Sequence, residues 1–108
     1  MNKYKNIKIT IDNILFDSKA ESRRYLELKA LERIGDITHL RTQPKFDYMS
    51  DNGKKKIFTY KADFDYCTDG GRYIVEDVKS SATAKLSTFR LKKKLIEDRF
   101  GIEIVLVS

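Results

Sequence analysis

The spacing of apolar and polar residues changes several times along this chain, and each change marks an element. Residues 8–16, KITIDNILF, alternate around Asp12-Asn13 and predict a short hairpin, with Asn13 suited to the positive φ of its turn. From Ser18 the period becomes helical. Ala20, Tyr25, Leu28, Leu31 and Ile34 form one apolar stripe and Gly35 stands where a C-terminal cap belongs, which predicts a helix over about 18–34. DITHL (36–40) and PKFDYM (44–49) read as short extended stretches, with Pro44 at a strand start, and a lysine-rich polar loop covers 50–56. IFTYKADFDYC (57–67), rich in aromatic and β-branched residues, predicts one long strand; TDGG turns the chain and RYIVEDVK is the next strand. Phe89, Leu91, Leu95 and Ile96 give a second helix from about Ser81 to Phe100, ended by Gly101. IEIVLV is apolar on both faces and predicts a covered interior strand. This order implies an α/β fold: one domain over residues 1–108, with a central mixed β-sheet flanked by two helices.

Composition narrows this picture only a little. At 108 residues, with 41% apolar and 35% charged residues and a single proline, the chain is an ordinary soluble globular domain able to bury roughly 65% of its unfolded surface. Cys67 is alone, so no intrachain disulfide forms, and no apolar run of membrane length or leader pattern is present; the expected location is the cytoplasm. The net charge of +6 is concentrated in Arg23 and Arg24, in Lys54 to Lys56, and in Arg90 with Lys92 to Lys94. Such clusters suit a polyanion or form a solvated basic face.

The candidate chemistry lies in the acids of the last strands. In YIVEDVKS (73–80), Asp77 and Lys79 share one strand face with Tyr73 and Val75, while Glu76 shares the other with Ile74 and Val78. On the preceding strand Lys61, Asp63 and Asp65 share a face. A two-residue hairpin loop at Asp69-Gly70 places Asp63 opposite Glu76; a loop of three (69–71) or five residues places it opposite Asp77. Two successive glycines suit the three-residue loop, whose third position is usually left-handed, so Asp63 is expected to face Asp77 beside Lys79.

Two carboxylates about 5 Å apart repel each other unless one keeps its proton or a cation lies between them. Oxygen ligands at this spacing suit Mg²⁺ or Mn²⁺, and Lys79 beside the ion is placed to orient water and stabilise charge on a phosphoryl centre. Glu21 is a third acid. Standing three residues after Ser18 it fits a capping box, and in helical projection it falls between Leu28 and Tyr25, facing inward toward a metal at the sheet's edge.

An acid, a hairpin, an acid-x-lysine pair and a glutamate on the preceding helix together resemble the PD-(D/E)xK nuclease superfamily, with its restriction-endonuclease-like fold. More narrowly, FDSKAESRRYLELKALERIGDITHLRTQPKF with YKADFDY and VEDVKS resembles small phage and prophage proteins grouped as Holliday junction resolvases, over nearly the whole chain. The resemblance implies Glu21, Asp63, Asp77 and Lys79 as catalytic residues, the three acids as ligands of Mg²⁺ (or Mn²⁺), and metal-assisted phosphodiester hydrolysis. Ala62 stands where the motif has proline, and Asp77 is the shorter acid, with Glu76 beside it as an alternative ligand.

DNA, branched DNA in particular, is the implied partner. Symmetric cutting of a junction implies a homodimer, acting in the host cytoplasm if phage-encoded. Arg23, Arg24, Lys85, Lys92 and Lys93 are candidate phosphate contacts. His39, the single histidine, reads as a strand-end residue and Cys67 as a core or strand-end residue. The competing functions are a nuclease-like module that binds DNA without hydrolysis, and an ordinary α/β domain whose acids make surface salt bridges.

Overall fold

The computed structural model describes residues 7–108; the first positions searched above for a leader lie outside them. Asp12 and Asn13 both have positive φ (53° and 63°), the backbone of a two-residue type I′ turn, so β1 (Ile9–Ile11) and β2 (Ile14–Phe16) pair with Ile11 opposite Ile14. Ser18 then caps α1 (Lys19–Arg33), its Oγ accepting from the Glu21 amide at 3.2 Å. The buried residues Tyr25 and Leu28 turn this helix toward the hairpin, and the Phe16 and Tyr25 rings meet at 5.0 Å between centroids.

From Ile37 the chain forms β3 (Ile37–Thr42), β4 (Lys45–Met49), β5 (Lys56–Lys61), β6 (Phe64–Thr68), β7 (Tyr73–Val78), α2 (Ser81–Ala84), α3 (Ser87–Phe100) and β8 (Ile104–Val107). The central sheet has the order β3-β6-β7-β8, antiparallel except for the parallel β7–β8 pair, and is therefore mixed as expected. A second pair, β4–β5, forms a two-stranded ribbon.

The long strand expected over 57–67 is divided between these two sheets. The register of β3 on β6, with Thr42 opposite Phe64, continues without a shift into β4 on β5, with Lys45 opposite Lys61. Two hydrogen bonds bridge the gap: Gln43 N–H donates to the Asp63 carbonyl at 2.8 Å and Ala62 N–H to the Pro44 carbonyl at 3.0 Å. Gln43 takes a φ of 55°, which bends the pair at this corner. Side chains of one parity consequently serve two cores. Phe64 and Tyr66 pack with Phe16, Tyr25 and Leu28, whereas Tyr60 and Ala62 pack with Val75, Ile96 and Ile104.

Three further expectations are corrected. The second helix breaks at Lys85-Leu86: α2 buries none of its residues, so no packing holds it in line with α3, whose stripe reaches the core through Ile96. β8 is an edge strand rather than an interior one. Among the described residues it pairs only with β7, and Val105 and Leu106 are exposed. His39 occupies a β-bulge between Thr38 and Arg41 with a φ of 58°, a conformation histidine tolerates better than most residues. Among the described residues no helix is long and apolar enough to cross a membrane.

Candidate active site

Parity at the β6–β7 turn decides which acids meet. Thr68 N–H donates to the Arg72 carbonyl at 2.8 Å, closing a loop of three residues, and Gly71 at its third position has a φ of 85° that a residue with a Cβ adopts only under strain. Phe64 therefore lies opposite Glu76, and Asp63, one step beyond, lies opposite Asp77; its N–H donates to the Glu76 carbonyl at 3.1 Å. The Asp63 carboxyl is within hydrogen-bonding reach of Asp77, and its Oδ2 accepts the Val78 amide at 2.6 Å.

Asp77 is 1% exposed. Its Oδ2 accepts the Tyr60 hydroxyl, and its Oδ1 faces Lys79. The Lys79 ammonium lies 3.0 Å from Oδ1, forming an ion pair with it, and also sits over the Phe89 ring. Burial alone lowers the pKa of Lys79; Asp77, then Asp63 and Glu21, more than reverse this and hold it above the ordinary lysine value. Burial raises the Asp63 carboxyl, and the adjacent Asp77 and, more weakly, Glu21 raise it further against the Val78 amide.

Glu21 is raised chiefly by burial, and it feels both Lys79 and Asp77. One of its oxygens, Oε2, accepts the Asp17 amide at 3.3 Å, so the cap is real but engages the residue before Ser18. The other oxygen is not used in the cap.

Glu76 has a different task. It is 2% exposed, receives Arg24 Nε at 2.8 Å and Nη2 at 2.7 Å, and accepts the Tyr66 hydroxyl. Both oxygens of this carboxylate are engaged by Arg24 and Tyr66, on the sheet face opposite Asp63 and Asp77. Arg24 is correspondingly an internal ion-pair residue rather than a phosphate clamp. Lys93 is similarly engaged with Glu97 at 3.0 Å, and Glu97 also accepts the Ile104 amide. Of the expected phosphate contacts, Arg23, Lys85 and Lys92 are exposed, and the Lys92 ammonium rests 5.5 Å above the Phe58 ring.

Sequence reasoning missed Tyr60. Strict alternation placed it on the face opposite Asp63, and only the corner at Ala62-Asp63 brings its hydroxyl to Asp77. Its position three residues before Asp63 in an aromatic strand carried no signal of that contact. Two cavities flank Lys79. One of about 400 Å³ reaches Ser18, Glu21 and Ser80; another of about 340 Å³ reaches Asp77, Lys61 and Phe89.

The donor set fits a hard divalent cation. Asp77 Oδ1 is a buried carboxylate oxygen whose near cation is the Lys79 ammonium, and Asp63 opposite is raised by burial and by its Asp77 neighbour, as two carboxylates are that share one site. Among the described residues no three acidic, histidine or cysteine side chains converge as a group that could hold a metal ion.

The chain matches, over residues 1–106, a family described as "Protein of unknown function (DUF1064)". It belongs to that family. No curated protein and no solved structure matches it. What this DUF1064 chain offers chemically is thus two facing carboxylates and an ammonium held against one of them at a corner between two cores.

The raised Asp63 has a consequence for stability. Above about pH 4 the folded state holds this proton more tightly than the unfolded state, so folding loses stability as pH rises from the ordinary aspartate range through the folded pKa. Asp63→Asn removes that loss while its amide oxygen still accepts the Val78 N–H. Thermal melts in EDTA are expected to place the variant above wild type at about pH 8, with the gap closing near pH 4; a variant melting below wild type at the higher pH contradicts the assignment.

Proposed function

We propose that this chain is a divalent-metal-dependent DNA endonuclease with a restriction-endonuclease-like fold, similar to the PD-(D/E)xK nucleases, and that it hydrolyses phosphodiester bonds in branched DNA. The observation that carries this reading is the register that sets Asp63 against the buried Asp77, whose Oδ1 is ion-paired with Lys79 at 3.0 Å. Asp63 and Asp77 would hold Mg²⁺ or Mn²⁺, with the uncapped oxygen of Glu21 as the third donor. When bound, the ion supplies Lewis acidity to a phosphoryl oxygen and lowers the pKa of water.

The remaining work belongs to the side chains. Tyr60 fixes the Asp77 carboxylate by hydrogen bonding to Oδ2 and so aims Oδ1 away from itself. Lys79, whose proton is held by three acids, acts as a fixed ammonium that stabilises charge building on the phosphoryl group and orients water; it is not a general base. Arg23, Lys85 and Lys92 contact flanking phosphates, and a homodimer supplies the second site that symmetric junction cutting needs.

The test is incubation of the protein with linear, nicked and four-way-junction DNA in Mg²⁺, Mn²⁺ or EDTA. Cleavage is expected in the two metals and not in EDTA, with the junction cut fastest. Cleavage that persists in EDTA removes the metal mechanism; tight binding of every substrate with no cutting in either metal favours a DNA-binding module.

A further inference from the structure

Beyond the carboxylates, on the α3 side of Lys79, the cavity of about 340 Å³ has features the hydrolytic chemistry does not require. Its wall is Phe89 together with Leu86, which is 58% exposed although it stands at the N-cap of α3. A leucine there supplies no side-chain hydrogen bond to the helix amides, so the helix start faces the cavity without a capping oxygen. Lys61 and Lys92 line the same cavity, and the buried Asp77, ion-paired with Lys79, reaches it from the sheet.

Lys61 also lies directly opposite Lys45 on the outer face of the ribbon. Like charges placed directly opposite each other destabilise a strand pair, and the arrangement becomes favourable when an anion joins them. A volume near the lower end of ligand-sized pockets, one apolar and aromatic wall and a cationic rim match a single nucleotide better than a duplex backbone, which offers phosphates but no free base face.

Resting on the nuclease reading above, we infer that this cavity receives one unpaired nucleotide of the DNA strand, adjoining the phosphate presented to Asp77 and Lys79. Its base lies against Leu86 and Phe89, and its phosphate lies between Lys61, Lys92 and the start of α3. The substrate class is DNA with a locally unpaired strand beside the cut, such as a flap or an open junction arm; a continuous duplex leaves the cavity empty.

Fluorescence anisotropy of the full chain in EDTA tests this without hydrolysis, using a labelled continuous duplex and the same duplex carrying a short single-stranded flap. The flap substrate is expected to bind roughly tenfold tighter, about what one stacked base supplies. The Leu86→Ala/Lys61→Ala variant is expected to bring the ratio of the two affinities close to one. Both residues are exposed, and a thermal melt checks that the variant remains folded. Equal wild-type affinities, or a ratio unchanged in the folded variant, overturn the inference. Flap preference in a protein that cuts nothing in Mg²⁺ or Mn²⁺ keeps the cavity and removes the nuclease reading; cutting without flap preference does the reverse.

Discussion

Asp77→Asn is expected to lower metal-dependent DNA cleavage by about 10³-fold or more, the scale on which removal of one preorganised electrostatic group from a phosphoryl or acyl site is felt. Asparagine is nearly the same size and keeps an oxygen for the Tyr60 hydroxyl, so the 1%-exposed position stays filled. What is lost is the charge that, on the proposed function, would bind the cation, and the partner that holds the Lys79 ammonium. Single-turnover cleavage in Mg²⁺, read on a denaturing gel beside a thermal melt of the same sample, separates chemistry from unfolding. A folded variant that cuts within about tenfold of wild type would show that Asp77 is not a metal ligand in this reaction.

Arg24→Met has the largest expected effect on stability. Glu76 is as buried as a core leucine and depends on two hydrogen bonds from that guanidinium. Removing one partner of a buried ion pair typically costs about 3–5 kcal/mol, because the other charge remains without solvent or counterion. For a domain of this size that corresponds to a fall in Tm of more than about 12 °C. Replacing both partners, as in Arg24→Met/Glu76→Leu, is expected to recover most of the loss, since well-packed apolar pairs often match buried ion pairs. Urea unfolding of the two variants measures both numbers. If Arg24 instead served chiefly to grip phosphate, the single variant would unfold like wild type and lose DNA affinity alone.

The parts of this fold that were legible in the sequence are those set by local chemistry. Asp12-Asn13 encode their own turn, Ser18 its own cap, and the two glycines at 70–71 the odd-numbered loop from which the pairing of Asp63 with Asp77 follows. Position 76 was also legible to the extent that alternation put it on the opposite face. The pairing with Arg24 was not, because residues 52 positions apart along the chain leave no periodic trace of each other.

The bend at Gln43 and Asp63 was hidden for a related reason. Apolar alternation runs through IFTYKADFDYC unbroken, and a two-residue period reads the same whether a strand stays in one sheet or crosses to another. The edge position of β8 escaped because IEIVLV is apolar on both faces. In an interior strand both faces are covered, but here Ile104 and Leu106 lie on the side of α3 with Leu106 still partly exposed, and Val105 on the other face is exposed too.

The crossing at Ala62-Asp63 means that the acid pair has no packing of its own. Asp63 is anchored on one side by residues that pack under α1 and on the other by residues that pack under α3, so loosening either half disperses the pair. On heating, the paired carboxylates therefore report the melting of whichever half yields first, and a form of this chain with only one half consolidated holds none of the arrangement.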